Sequence, residues 1–386
     1  MFQKQLSDSL AKEVTLKIAI PREVVDGEKR VALSPSMAQE LTQLGCTILF
    51  EKNAGLAAGF VDDSYQNVEV YHDMQMLYHD ADVILKVQPP LEQEIAHYKK
   101  NTILISFLYP IRTNCFAMLC DLNVTSFAME NIPRISRAQT MDALSSQATV
   151  SGYKSVMIAA NMANRFFPML TTASGTIKPA QVLVIGAGVA GLQAIATARR
   201  LGAVVHAYDI RAAAREQVES LGAKMIHVDL QAETVGGYAR ELHDHEKIQQ
   251  QQVLKQALKS ADIIVCTALL PGKPAPKIIK QEMVEEMLSG SLIIDMAADT
   301  GGNCELTQPN KIIQHQHVTI YGPTNIPSLL ARDASHMYSK NVFNFLKLLI
   351  KDRQIDINWQ DEILAKSVVT HAGEIKHAPI RELVEG

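Results

Sequence analysis

Short apolar runs separated by polar and glycine-rich stretches recur along the chain in two successive series. LKIAIP (16–21), CTILFE (46–51), VEVY (68–71), ADVILKV (81–87), TILISFL (102–108) and VTSFAME (124–130) make the first. QVLVIG (181–186), AVVHAYD (203–209), AKMIHV (223–228), ADIIVCTA (261–268), SLIIDMA (291–297) and HVTIYG (317–322) make the second. Helical or loop-like sequence lies between successive runs. Alternation of apolar strands with helices is the mark of parallel sheets covered on both faces. Two doubly wound, Rossmann-like α/β domains of six strands each are therefore expected.

Two longer stretches join the series. RAQTMDALSSQATVSGYKSVMIAANMANRF (137–166) places Met141, Leu144, Ala148, Tyr153, Val156 and Ala160 at helical spacing. SLLARDASHMYSKNVFNFLKLLI (328–350) reads as a second long helix beyond the last strand. It is expected to cross back and pack on the first domain. That makes the first domain discontinuous, 1–136 plus 328–386, with 137–327 as the second. The tail after Ile350 is charged and mixed and shows no core pattern.

Charge and composition narrow the function. A net charge of -4 gives no electrostatic reason to bind nucleic acid. The longest apolar runs are near ten residues, against about twenty for a bilayer span, and MFQKQLSDSLAKEV at the start has no secretion-signal pattern. A cytoplasmic protein without a membrane span is expected. Cys46, Cys115, Cys120, Cys266 and Cys304 form no CxxC pair. The pairs His243/His245 and His315/His317 have no acid or cysteine at ligand spacing, so no metal site is expected.

The second series opens with a specific signal. Gly186, Gly188 and Gly191 form GxGxxG between a strand and a helix. In that context the first glycine permits the tight turn, the second lets backbone approach a pyrophosphate, and the third lets helix and strand pack closely. The helix N-terminus adds amide donors and partial positive charge. Asp209 closes the next strand, 18 residues after Gly191, where a carboxylate accepts from adenosine ribose hydroxyls. An acid there disfavours a 2′-phosphate and so favours NAD over NADP. Arg211 is expected to be solvated or to lie near the adenine.

Two polar stretches remain. PRISRAQTMDALSSQ (133–147) carries Arg134, Arg137, Gln139, Asp142 and Ser145. Its pattern alone describes a helix N-cap with a surface ion pair. DLQAETVGGYARELHDHE (229–246) is long for a strand-to-helix connection and holds Gly236-Gly237-Tyr238, as a binding loop or an insertion would.

RISRAQTMDALSSQ, FFPMLTTASGTIKPAQVLVIGAGVAGLQAIATARRLGAVV, EQVESLGAK, VGGYARE, TALLPGKPAPKII and TGGNCELT together resemble the NAD(H)-binding component of proton-translocating nicotinamide nucleotide transhydrogenase. The resemblance covers essentially the whole chain. It implies a homodimer that works with a membrane subunit and with a partner domain holding NADP(H), attached peripherally to the inner membrane through those partners. It further implies that Arg134, Gln139, Asp142 and Ser145 surround the nicotinamide and its ribose. Val189 then joins Gly186, Gly188 and Gly191 in the phosphate turn, Asp209 holds the adenosine ribose, and Tyr238 closes on the nucleotide from a loop. Gln139, Asp142 and Arg134 would carry the hydride step.

Alanine dehydrogenase shares the same family resemblance and is the alternative. Arg30 in EKRVALSP matches its substrate-carboxylate arginine, and Asp299 falls where it has an aspartate. Against it, the catalytic FLH reads FLY (107–109) and the lysine of KVKEP is Gln88 in KVQPP. Tyrosine ionises near pH ~10 and is a poor proton shuttle at neutrality. Arg30 and Asp299 are therefore expected to be structural. A non-enzymatic NAD(H) sensor is a third reading.

Overall fold

The computed structural model describes residues 15–109, 115–226, 234–235, 238–239, 244–270, 273–378 and 381–382. The chain divides into two compact units, 1–147 with 330–386 and 148–329.

In the first unit, β1 (Lys17–Ile20), β2 (Thr47–Glu51), β3 (Val68–Tyr71), β4 (Val83–Leu85), β5 (Ile103–Ser106) and β6 (Thr125–Ala128) lie in the order β3-β2-β1-β4-β5-β6. All five pairings are parallel. Side chains alternate across a strand. Ile18, Ile20, Ile48 and Phe50 therefore share one core with Val342, Phe345 and Leu346 of the helix Ala331–Leu346. Ala19, Leu49, Ile84 and Leu104 face the other way, into a core with Leu77, Tyr78 and Phe116.

The C-terminal tail corrects the sequence expectation. Val368–His371 pairs antiparallel with β6, and Glu374–Ile375 extends the sheet beyond it. Ile363, Leu364 and Val369 are fully buried. The buried apolar residues come as the adjacent pairs Ile363–Leu364 and Val368–Val369, too brief to show either helical or strand periodicity.

The unit boundary falls inside the helix Ala143–Met162 rather than before Arg137. Polar contacts explain this. Arg137 forms a two-bond pair with Asp361 at 2.7 Å, Asn341 Nδ2 donates to the Thr140 carbonyl at 2.9 Å, and Gln147 Nε2 donates to the Ala334 carbonyl at 3.0 Å. They tie this stretch to the C-terminal part of the first unit. The helix itself starts later than the apolar spacing suggests, after a 3₁₀ segment Ser136–Met141.

In the second unit, the strands of the main sheet are β7 (Gln181–Ile185), β8 (Val204–Tyr208), β9 (Lys224–Met225), β10 (Ile263–Cys266), β11 (Leu292–Asp295), β12 (Ile312–His315) and β13 (Val318–Tyr321). Their order is β9-β8-β7-β10-β11-β13-β12, and only the edge strand β12 is antiparallel. The six expected strands therefore gain one edge strand. Ala194, Ile195 and Ala198 on the helix Val189–Arg200 pack with Val182, Val184 and Val205. No helix among the described residues is long and apolar enough to cross a membrane.

Both sheets reverse winding direction beside their first strand, between β1 and β4 and between β7 and β10. Open α/β sheets bind ligands beyond the carboxyl ends of the strands at such points.

Candidate nucleotide-binding site

β7 runs directly into the glycine turn. Gly186 has φ +93°, and its amide donates to the Tyr208 carbonyl at 2.8 Å. A Cβ on Gly186 would meet Thr267 Oγ1 at 2.7 Å, and one on Gly191 would lie 1.8 Å from the Gly186 carbonyl oxygen. Those two glycines are demanded by the protein's own packing. Gly188 is different: it has φ −77° and ψ −168°, and a Cβ there would meet nothing within 4 Å. Gly188 caps the helix Val189–Arg200 with no side-chain hydrogen bond, and Val189 beside it is 43% exposed. A helix N-terminus beside open space suits an anion brought against the backbone.

The opposite wall follows β10. Thr267 Oγ1 lies 3.1 Å from the Ile185 carbonyl oxygen and 2.9 Å from that of Gly186, sharing its proton between them. The buried Asn303 accepts from the Ala268 amide at 3.0 Å and donates to the carbonyls of Ala268 (2.8 Å) and Pro276 (3.0 Å). Thr267 and Asn303 thus fix the loop facing the glycine turn. The sequence reading missed both; TGGN after β11 was the available signal for Asn303.

Asp209 sits at the end of β8 with its side chain 7% exposed. Its Oδ2 accepts from the Ala187 amide at 2.7 Å, which ties it to the glycine turn. Arg211 donates to it from the backbone amide (2.8 Å), from Nε (3.0 Å) and from Nη2 (2.8 Å). Arg211 is thus not a merely solvated residue: it forms a bidentate ion pair with Asp209, with the arginine side chain 23% exposed. Gly186, Gly188, Val189, Gly191 and Asp209 are thus brought together in the second unit.

Arg134, Gln139, Asp142 and Ser145 belong to the first unit, along the stretch that runs through the 3₁₀ segment into the first turn of the helix Ala143–Met162. Arg134 and Gln139 are exposed. Ser145 donates to Asp142 from its amide (2.9 Å) and its Oγ (2.6 Å), so Asp142 caps the helix start. Tyr238 lies on a two-residue strand, Tyr238–Ala239, paired antiparallel with Thr234–Val235. Its side chain, together with Gly236 and Gly237, lies outside the described residues.

Charged groups fill the space beyond β1 and β4 in the first unit. Arg30 is 4% exposed and donates to Glu28 from Nε (2.9 Å) and Nη2 (2.6 Å), and to Gln147 Oε1 from Nη1 (2.8 Å). Gln88 Nε2 donates to Glu28 Oε2 at 2.7 Å. Lys86, fully buried, bonds Glu94 at 2.7 Å and lies 3.5 Å from Glu23. Burial works against its charge, yet the two glutamates hold the ammonium above the ordinary lysine range. Tyr109 stacks on Phe107 with centroids 5.4 Å apart. In the second unit Asp299 is exposed and accepts from the Asn325 amide at 3.4 Å.

The N-terminal-domain model of the alanine dehydrogenase/PNT family matches residues 19–151, and its C-terminal-domain model matches 155–378. The chain belongs to the alanine dehydrogenase/PNT family. Within that family, the first portion of the NAD(P) transhydrogenase alpha subunit from Rhodospirillum rubrum is 46% identical over 377 residues, covering 94% of this chain and 98% of that protein. Alanine dehydrogenase 2 of Staphylococcus aureus is 26% identical over 383 residues, covering 96% and 97%. The solved structure of a transhydrogenase from Sinorhizobium meliloti superposes with a TM-score of 0.86 at 38% identity, covering 93% of this chain and 99% of that one. Similarity is thus greater on the transhydrogenase side of the alanine dehydrogenase/PNT family, the side that the quoted motifs resemble.

Proposed function

We propose that this chain holds NAD(H) as the alpha-subunit component of a proton-translocating transhydrogenase, with NADP(H) on a partner domain and proton translocation in a membrane subunit. The chain pairs with a second copy and attaches to the inner membrane through those partners. The state of Arg30 carries the choice over an amino-acid dehydrogenase. A substrate carboxylate would need its guanidinium, but three of its donors point at Glu28 and Gln147, and Gln88 stands where that enzyme has a lysine. The 46% identity to a transhydrogenase alpha subunit supports the same reading.

When bound, the nicotinamide would supply a hydride for direct transfer to a second nicotinamide. Transfer between two such rings neither takes up nor releases a proton, so the chain needs no general acid or base. Its residues act by placement and exclusion of water. Gly186, Gly188, Val189 and Gly191 cradle the pyrophosphate, and Asp209 takes the adenosine ribose. Gln139 orients the nicotinamide for transfer, Arg134, Asp142 and Ser145 hold its ribose, and Tyr238 closes on the nucleotide.

The test mixes the purified chain with an isolated NADP(H)-binding domain of a transhydrogenase and follows NADH-dependent reduction of an NADP analogue. Turnover that requires both components is expected. Rapid turnover of pyruvate and ammonia by the chain alone would replace this reading with alanine dehydrogenase. Tight NADH binding with neither activity would make the chain a sensor.

A further inference from the structure

Among the described residues four donors meet Asp209, and they bear directly on how a ribose reaches it. A carboxylate offers about four lone-pair sites, two on each oxygen. The backbone takes one per oxygen: the Ala187 amide on Oδ2 and the Arg211 amide on Oδ1. The Arg211 side chain takes the other: Nε on Oδ1 and Nη2 on Oδ2. A ribose cis-diol brings two O–H donors and finds no acceptor left.

We propose that the Arg211 guanidinium holds the ribose seat on Asp209 and is exchanged for the ribose diol when NAD(H) binds, so that Arg211 sets affinity for the unphosphorylated nucleotide. This rests on the assignment of Asp209 to the adenosine ribose. The stoichiometry supports the exchange: withdrawing one side chain releases one acceptor on each oxygen, the pair that a diol needs. The two amide bonds stay in place and keep the carboxylate aimed. The guanidinium is the more exposed partner, 23% against 7%, so it is the group a ligand meets first. A 2′-phosphate carries acceptors where the diol carries a donor, and it cannot take over the vacated bonds. The exchange therefore selects NAD(H).

The test titrates NADH, read by its own fluorescence, against the full chain and three variants. Arg211→Met keeps the aliphatic stem and removes the competing donors. It is expected to bind NADH about fivefold more tightly, the equilibrium equivalent of a partly exposed ion pair. Arg211→Lys, which cannot cover both oxygens, is expected to fall between Met and the parent. A residue serving structure alone would change the melting temperature and leave the dissociation constant unmoved. One that holds adenine or phosphate would weaken binding when removed. Unchanged or weaker NADH binding by Arg211→Met overturns the exchange. Asp209→Ala separates the two levels. If it leaves NADH affinity intact, the ribose assignment falls and the exchange falls with it. If it weakens NADH while Arg211→Met fails to tighten it, only the exchange is lost.

Discussion

Gly188→Ala separates what the fold requires from what the ligand requires. An added Cβ at position 188 has nothing within 4 Å, and φ −77° with ψ −168° is backbone that alanine adopts freely. The folded protein should keep its stability to within about 0.5 kcal/mol, or gain slightly from a less flexible unfolded chain. Gly191→Ala is the contrast: its Cβ would sit 1.8 Å from the Gly186 carbonyl oxygen, and helix and turn must part by more than an ångström. Overpacking of that kind costs about 3 kcal/mol or more. Nucleotide binding should reverse the ranking of severity for Gly188. A methyl group at the phosphate approach forfeits one charge-assisted hydrogen bond from the backbone, about 1.5–3 kcal/mol, or roughly 10- to 150-fold in NADH affinity. Thermal melting without nucleotide and calorimetric titration with NADH measure the two effects. A Gly188→Ala protein that binds NADH like the parent would refute the phosphate assignment. One that melts like Gly191→Ala would refute the geometric argument.

Gln139→Asn should lower hydride transfer in the two-component assay far more than it lowers NADH affinity; equal losses in both would make Gln139 a binding residue only. Arg30→Met leaves the buried Glu28 carboxylate without its guanidinium, and urea unfolding should show a loss of about 3 kcal/mol with NADH affinity unaltered. An unchanged unfolding midpoint would mean the pair contributes nothing. Desolvation pushes Glu130 up to about 7, against the backbone donors that favour its ionised form. With the folded value above the unfolded one, the folded state holds the proton more tightly. Stability is therefore full below pH ~4.5 and falls as pH rises toward ~7, by up to about 3 kcal/mol. Glu130→Gln should remove that component, so its unfolding free energy should fall less from pH 5 to 7.5 than the parent's; parallel curves would contradict the assignment.

The strands and the glycine turn were legible because their causes are local in sequence. Alternation of apolar runs with helices dictates a doubly wound sheet, and a GxGxxG between strand and helix states where backbone must pass close to backbone. Contacts assembled from distant segments were not legible. The tail strand Val368–His371 earns its place by pairing with β6, and no periodicity in four residues announces that. Residues 137–147 stay with the first unit through Arg137–Asp361 and Asn341–Thr140, pairs separated by about two hundred positions. The Arg211–Asp209 pair spans only two positions, yet the ion pair itself was not anticipated. Spacing limits which groups can meet, and the structure adds a second hold on the same carboxylate from the Ala187 amide, 22 positions earlier in the glycine turn.

The two units pose the same topological question and answer it with different chemistry. Each sheet changes winding direction beside its first strand, so each has a place where a ligand can reach the ends of the strands. Beyond β1 and β4 that place holds Arg30, Glu28, Gln88, Lys86, Glu94 and Glu23, mutually bonded and mostly buried. A charged ligand entering there would have to break bonds that are already desolvated and satisfied, which is costly without a replacement partner of equal geometry. Beyond β7 and β10 the lining is glycine backbone, a helix N-terminus and one acid paired with Arg211. There a Cβ added at Gly188 would meet nothing within 4 Å, and the Asp209–Arg211 pair is partly exposed. The same strand order therefore carries a buried ionic cluster in one unit and, in the other, the glycine turn proposed above as the nucleotide seat.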